Sequence, residues 1–135
     1  MQKSTIRVLL VDDFEPSRSW VRSKLKVQEH LHIVGEAFDG LEAVQKAQEL
    51  IPDLILLDIG LPNLNGIRAA DRIQHVVPGA KILYLSQEHD IDIVRTALSN
   101  GAKGYLLKAA AESELLPAIE AVLGGEKFVS RCLNI

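Results

Sequence analysis

The chain has 135 residues, 47% of them apolar and 24% charged, with a formal charge of −3, so it is expected to fold as one soluble domain burying roughly two thirds of its unfolded surface. No basic excess marks a nucleic-acid face. No apolar run is long enough to cross a bilayer and Met1 to Leu10 lacks the apolar core of a signal peptide, which points to a cytoplasmic chain.

Ile6 to Val11, IRVLLV, is β-branched and leucine-rich and stops at Asp12-Asp13, so the first strand ends in acid. Pro16 suits the first turn of a helix that directs Trp20, Val21 and Leu25 to the core and fades near Gln28. Leu31 to Val34 reads as the second strand. Asp39-Gly40 then turns the chain into a helix whose apolar positions Leu41, Val44, Ala47 and Leu50 recur in steps of three, and Pro52 stops it. Leu54 to Leu57 is wholly apolar, the mark of a strand buried on both faces, and Asp58 closes it. Pro62, Asn63, Asn65 and Gly66 form a turn before a third helix with Ile67, Ala70, Ile73 and Val77 facing inward, ended by Pro78-Gly79.

Lys81 to Leu85 is the fourth strand, closed by Ser86. Ile91, Val94 and Leu98 mark the fourth helix, with Asn100-Gly101 as its C-terminal cap. Lys103 to Leu107 is the fifth strand, closed by Lys108. The last helix is expected from Ser113 or Glu114 to Leu123, with Leu115, Ile119 and Val122 on one face, Pro117 near its first turn and Gly124-Gly125 as its stop.

Strand and helix therefore alternate through five repeats, which predicts a (βα)5 doubly wound α/β fold with a parallel five-stranded sheet in the flavodoxin-like order 2-1-3-4-5. That order makes the first and third strands neighbours and brings Asp12, Asp13 and Asp58 together at the sheet's C-terminal edge, where ligands of such sheets bind. Three crowded carboxylates repel unless some protonate or a cation sits among them. All-oxygen ligands with an open coordination sphere favour Mg²⁺. Ser86 and Lys108 would face the same crevice with a hydroxyl and a point charge suited to a phosphoryl oxygen. Taken singly, Asp58 reads as a turn acid, Ser86 as a helix cap, Tyr105 as a packed strand aromatic and Lys108 as a surface lysine. His30, His32, His75 and His89 show no ligand spacing, Trp20 reads as core, and the single cysteine, Cys132, has no internal partner.

Together, Asp12-Asp13, Asp58-Ile59-Gly60-Leu61-Pro62, Ser86 and Tyr105-Leu106-Leu107-Lys108 resemble the receiver domain of two-component response regulators, over Ile6 to Gly125. The resemblance implies that Asp58 is the phospho-acceptor and that Asp13 and Asp58 ligate Mg²⁺ directly. It implies that Asp12 holds a metal-bound water and that the Gly60 carbonyl completes the protein ligands. Ser86 would bond the phosphoryl group, Lys108 would pair with it, and Tyr105 would be the aromatic switch. The phosphodonor would be a sensor histidine kinase, and the chain would be no enzyme beyond accepting and slowly losing its own phosphoryl group. One residue departs from the family: Ala109 follows Lys108 where a proline in a cis bond is common, which leaves that loop's geometry open.

Gly124 to Ser130, GGEKFVS, resembles the segment after the receiver in LuxR-type (NarL/FixJ-like) transcriptional regulators. Residues 1–125 are thus expected to form the receiver and 126–135 a linker, with DNA contacted only through an output domain outside this sequence, and with homodimerisation as a further expectation. The alternatives are a stand-alone receiver that relays phosphoryl groups or docks on a protein, or a Mg²⁺-dependent phosphatase, for which the loops are short. A flavin carrier on this fold would need a Ser/Thr/Gly-rich first loop, and Asp12-Asp13 would repel its phosphate.

Overall fold

Strand side chains alternate between sheet faces, so a sheet apolar on both faces needs helices on each side. The computed structural model describes residues 5–133 and 135 and has this layering. In chain order it runs β1 (Ile6–Val11), α1 (Glu15–Lys26), β2 (Leu31–Ala37), α2 (Gly40–Leu50), β3 (Leu54–Leu57), α3 (Gly66–Val76), β4 (Lys81–Ser86), α4 (Ile91–Leu98), β5 (Gly104–Leu107), α5 (Ala111–Leu123) and β6 (Phe128–Val129). One core layer joins Leu9, Val11, Ile55, Leu57, Ile82 and Tyr84 to α2, α3 and α4. The other joins Val8, Leu10, Leu54, Leu56, Leu83 and Leu85 to α1 and α5. The alternation within each strand is the period of two that the apolar runs concealed.

All strand pairs are parallel, in the order β2-β1-β3-β4-β5-β6. The flavodoxin-like order is as expected, and the sheet carries one strand more than the five read from the sequence. Gly125, at φ 87°, turns the chain after α5, and Phe128 and Val129 pair with Gly104 and Tyr105 of β5. Gly104 admits this strand, because a Cβ there would lie 2.7 Å from the Phe128 carbonyl oxygen. Beyond it, Ser130 donates its N–H to the Tyr105 carbonyl (2.9 Å) and its Oγ accepts the Leu107 N–H (2.9 Å). Leu133 is buried in the core layer of α2 to α4. Part of the expected linker is thereby docked on the sheet edge, while Asn134, like Met1 to Ser4 of the N-terminal stretch, lies outside the described residues.

Other differences are local. β2 extends to Ala37, which pairs with Val11. α2 buries Gly40, Ala43 and Ala47, whereas Leu41 is 50% exposed. The cause is Gly40, pressed so closely on the β3–α3 loop that a Cβ would sit 1.9 Å from the Leu64 carbonyl oxygen. Trp20 is only partly buried, at the margin of the α1/α5 layer, with Lys24 over its ring. α5 begins at Ala111 after a turn of 3₁₀ helix at Lys108–Ala110, so Pro117 falls inside the helix instead of its first turn. There its missing N–H lies on an exposed face, where the Ser113 carbonyl can be met by water. No described helix is long and apolar enough to cross a membrane.

Candidate functional site

The β1–β3 register sets the site. Val11 pairs with Leu57, and the Asp58 N–H donates to the Val11 carbonyl at 3.0 Å, so the acids that follow each strand emerge side by side. Asp12, Asp13 and Asp58 each offer a carboxylate oxygen within 4.8 Å of the others. Asp12 is 2% exposed and Asp58 8%, while Asp13 opens to solvent. Asp12 Oδ1 accepts the Phe14 N–H (2.9 Å) and Asp58 Oδ1 the Ile59 N–H (2.7 Å). Lys108, just beyond β5, reaches across with Nζ 2.7 Å from Asp12 Oδ2 and 3.1 Å from Asp58 Oδ2. Asp13, Asp58, Gly60, Ser86 and Lys108 line one open cleft of about 390 Å³. Asp12 is not part of that lining and joins the cleft through its ion pair with Lys108.

The β3–α3 loop that carries Gly60 is held from both sides. Leu61 and Gly66 both donate their N–H groups to the Ile59 carbonyl, at 2.8 Å each. Asn63, in the left-handed region at φ 67°, donates from Nδ2 to Asp39 Oδ2 at 2.9 Å. Gly66 was read from the sequence as a turn residue and does more, since a Cβ there would fall 2.0 Å from the Asp58 carbonyl oxygen. The first turn of α3 thus packs directly on the backbone of the acid. A glycine opening a helix eight residues after a strand-ending aspartate was the available signal.

Ser86, at the end of β4, accepts the Glu88 N–H on its Oγ at 3.2 Å. Tyr105 is fully buried, its ring centroid 5.7 Å from that of Tyr84, and its hydroxyl donates to the Glu88 carbonyl at 2.6 Å. Both polar groups of Glu88's backbone are therefore fastened to the two residues named as a switch, a contact the sequence did not suggest. The described peptide bonds are all trans, including Lys108–Ala109. None of the four histidines is among the residues that line the cleft.

Burial acts on these groups in opposite directions. At Lys108 desolvation is the largest single influence and lowers the pKa, but the hydrogen bonds and charges of Asp12 and Asp58 together outweigh it and leave the ammonium above its ordinary value. Burial raises the Tyr105 phenol to about 12, with the polar Ser86 side chain acting partly against it, and raises Tyr84 as well. The unfolded chain gives up phenol protons near pH ~10 while the folded chain keeps them, so stability should fall as pH rises above ~10. The chain has only two tyrosines, so the folded protein is expected to show almost no phenolate absorbance at pH ~11, where the urea-unfolded chain ionises both. Phenolate appearing near pH ~10 without unfolding would contradict this burial.

The donor set suits a hard divalent cation. Three carboxylates face one ammonium, Asp13 makes no ion pair among the described residues, and the cleft is open enough to leave water or a phosphate oxygen in the remaining positions. A doubly wound parallel sheet with paired acids after β1, one after β3, a hydroxyl after β4 and a lysine after β5 defines a protein that handles a phosphoryl group at an acidic edge. The chain belongs to the response regulator receiver domain family, whose profile matches residues 8–120. It is 36% identical over 128 residues to the nitrate/nitrite response regulator protein NarL of Escherichia coli K12, covering 94% of this chain and 59% of that one. With the transcriptional regulatory protein LiaR of Bacillus subtilis it shares 40% identity over 121 residues, 90% of this chain and 57% of LiaR. The chain thus spans less than two thirds of these curated relatives. A LuxR-family two-component response regulator from Aurantimonas sp. SI85-9A1 superposes with a TM-score of 0.91 at 33% identity, over 96% of this chain and 93% of that one. The receiver is accordingly of the NarL/LuxR type.

Proposed function

We propose that this receiver is switched by phosphorylation of Asp58 in a Mg²⁺-dependent reaction, with a sensor histidine kinase as the physiological donor. The observation that carries the reading is the contact of one lysine with two of three converging carboxylates, in a cleft also lined by Ser86. Mg²⁺, held by Asp13, Asp58 and the Gly60 carbonyl, with Asp12 on a bound water, would draw charge from the phosphoryl oxygens. Asp58 Oδ1 is held by the Ile59 N–H, which leaves Oδ2, on the Lys108 side, to attack phosphorus. The new bond is an acyl phosphate O–P bond, and the donor's leaving atom departs with the bonding pair. Lys108 is already drawn toward Oδ2 and neutralises the charge delivered there.

The switch we infer differs in detail from an inward swing of Tyr105, whose ring is already buried. A phosphoryl group on Asp58 brings three acceptor oxygens into the cleft. The Ser86 hydroxyl can turn to donate to one of them, and its movement pulls on Glu88, whose N–H it accepts and whose carbonyl holds Tyr105, and so on the loop before α4. Ser86→Ala should still be phosphorylated. With beryllofluoride as the phosphoryl mimic, its hydrogen-exchange change across residues 90–105 should be much smaller than the wild type's. Equal changes would remove Ser86 from the switch.

A transcriptional output fits the relatives, which are named as response and transcriptional regulators and extend beyond the matched region. DNA contact would belong to an output domain and not to this acidic chain, whose net charge is −3. Homodimerisation belongs to the same proposal.

A further inference from the structure

Arg18 stands behind the cleft and is the buried charge that the phosphoryl chemistry leaves unexplained. Its side chain is only 10% exposed, and a guanidinium taken out of water is costly unless its donors are met. They are met here. Nη2 donates to Glu15 Oε2 (2.6 Å), Nε to Glu36 Oε1 on β2 (3.1 Å) and Nη1 to the main-chain carbonyl of Asp12 (2.7 Å). The Phe38 ring covers its free face at 4.2 Å. Arg22 closes the arrangement by donating to the same Glu36 Oε1 and to Glu15 Oε1, 2.7 Å each.

Two arginines and two glutamates thus form a ring that ties α1 to β2, and its one bond toward the cleft goes to the Asp12 carbonyl. That carbonyl belongs to the peptide unit whose nitrogen is Asp13's. Its direction therefore decides how Asp13 leaves the end of β1. Asp13 is exposed and has no ion pair among the described residues, so its placement depends on the backbone. We propose that Arg18 is a positioning residue for the cation site, which orients the Asp12–Asp13 peptide so that the Asp13 carboxylate faces the ion shared with Asp12 and Asp58. The proposal rests on the reading of the cleft as a Mg²⁺ site.

Arg18→Met keeps the side chain's bulk and removes every donor. Arg18→Lys keeps the charge but offers one point donor in place of a fork, so it cannot serve Asp12, Glu15 and Glu36 together. Glu36→Gln disturbs the ring and leaves the Nη1 bond to Asp12 in place. Mg²⁺ affinity, measured by calorimetry on the whole chain, should fall about tenfold to a hundredfold in Arg18→Met, as for other residues that orient metal ligands. It should fall less in Arg18→Lys and stay near the wild-type value in Glu36→Gln. With acetyl phosphate as donor, Arg18→Met should need more Mg²⁺ for half-maximal phosphorylation yet approach the wild-type rate at saturation. Should Arg18→Met not fold, Arg18→Lys carries the same test. Wild-type Mg²⁺ affinity in folded Arg18 variants that melt earlier would overturn the proposal and leave the cleft reading intact. Absence of Mg²⁺ binding by the wild-type chain would overturn both.

Discussion

Asp58→Asn is expected to take up no phosphoryl group from acetyl phosphate and Mg²⁺, and to melt no lower than the wild-type chain in the absence of metal. The amide cannot form the acyl phosphate, since it lacks the carboxylate that attacks phosphorus. Its oxygen can still accept the Ile59 N–H that now meets Oδ1 at 2.7 Å. The fold should survive because one of three crowded negative charges is gone, while Lys108 keeps its ion pair with Asp12 at 2.7 Å. Phosphate incorporation and a thermal melt on the same preparation check both halves. Label in Asp58→Asn would put the nucleophile at another residue, and a large drop in melting temperature would make Asp58 a structural acid.

Removal of residues 126–135 is expected to cost about 3–5 kcal/mol of folding stability, a large share of the roughly 5–15 kcal/mol that holds a domain of this size. Deleting Leu133 opens the core layer of α2 to α4 in which it is buried. Deleting Ser130 strips the buried Leu107 N–H of its acceptor, and an unmet buried donor alone costs ~1–3 kcal/mol. The β5 edge, now paired through Gly104 and Tyr105, would also be left open to other strands. Urea unfolding of the truncated and full chains measures the difference, and Leu133→Ala and Ser130→Ala apportion it. Equal stability would mean that this segment rests on the sheet without supporting it.

That segment also marks where sequence reading gave out. Four of the strands were legible because each is a short apolar run closed by a residue of different character, and the candidate cleft was legible because those closing residues are Asp12, Asp58, Ser86 and Lys108, whereas β2, interrupted by His32, Gly35 and Glu36, was read three residues short. β6 has two residues and no periodicity. Its place depends on Gly104 lacking a side chain twenty-four residues earlier. Leu41 looked like core because steps of three were counted on α2 without the close approach of Gly40 to Leu64 that rotates the helix. Arg18 carries no local signal, since its burial arises only when β2 brings Glu36 and Phe38 over α1. Tyr105 was named through the family resemblance, but its anchor on the Glu88 carbonyl joins β5 to the loop before α4, which no local pattern connects.

The central claim is that this chain carries its phosphoryl group on Asp58. The most direct measurement is to incubate the wild-type chain with acetyl phosphate, with Mg²⁺ and with chelator, and to locate the added phosphate by fragmentation mass spectrometry. The account predicts a single site, Asp58, labelled with Mg²⁺ and not with chelator. Label at another residue, label independent of Mg²⁺, or no label in repeated trials would contradict it.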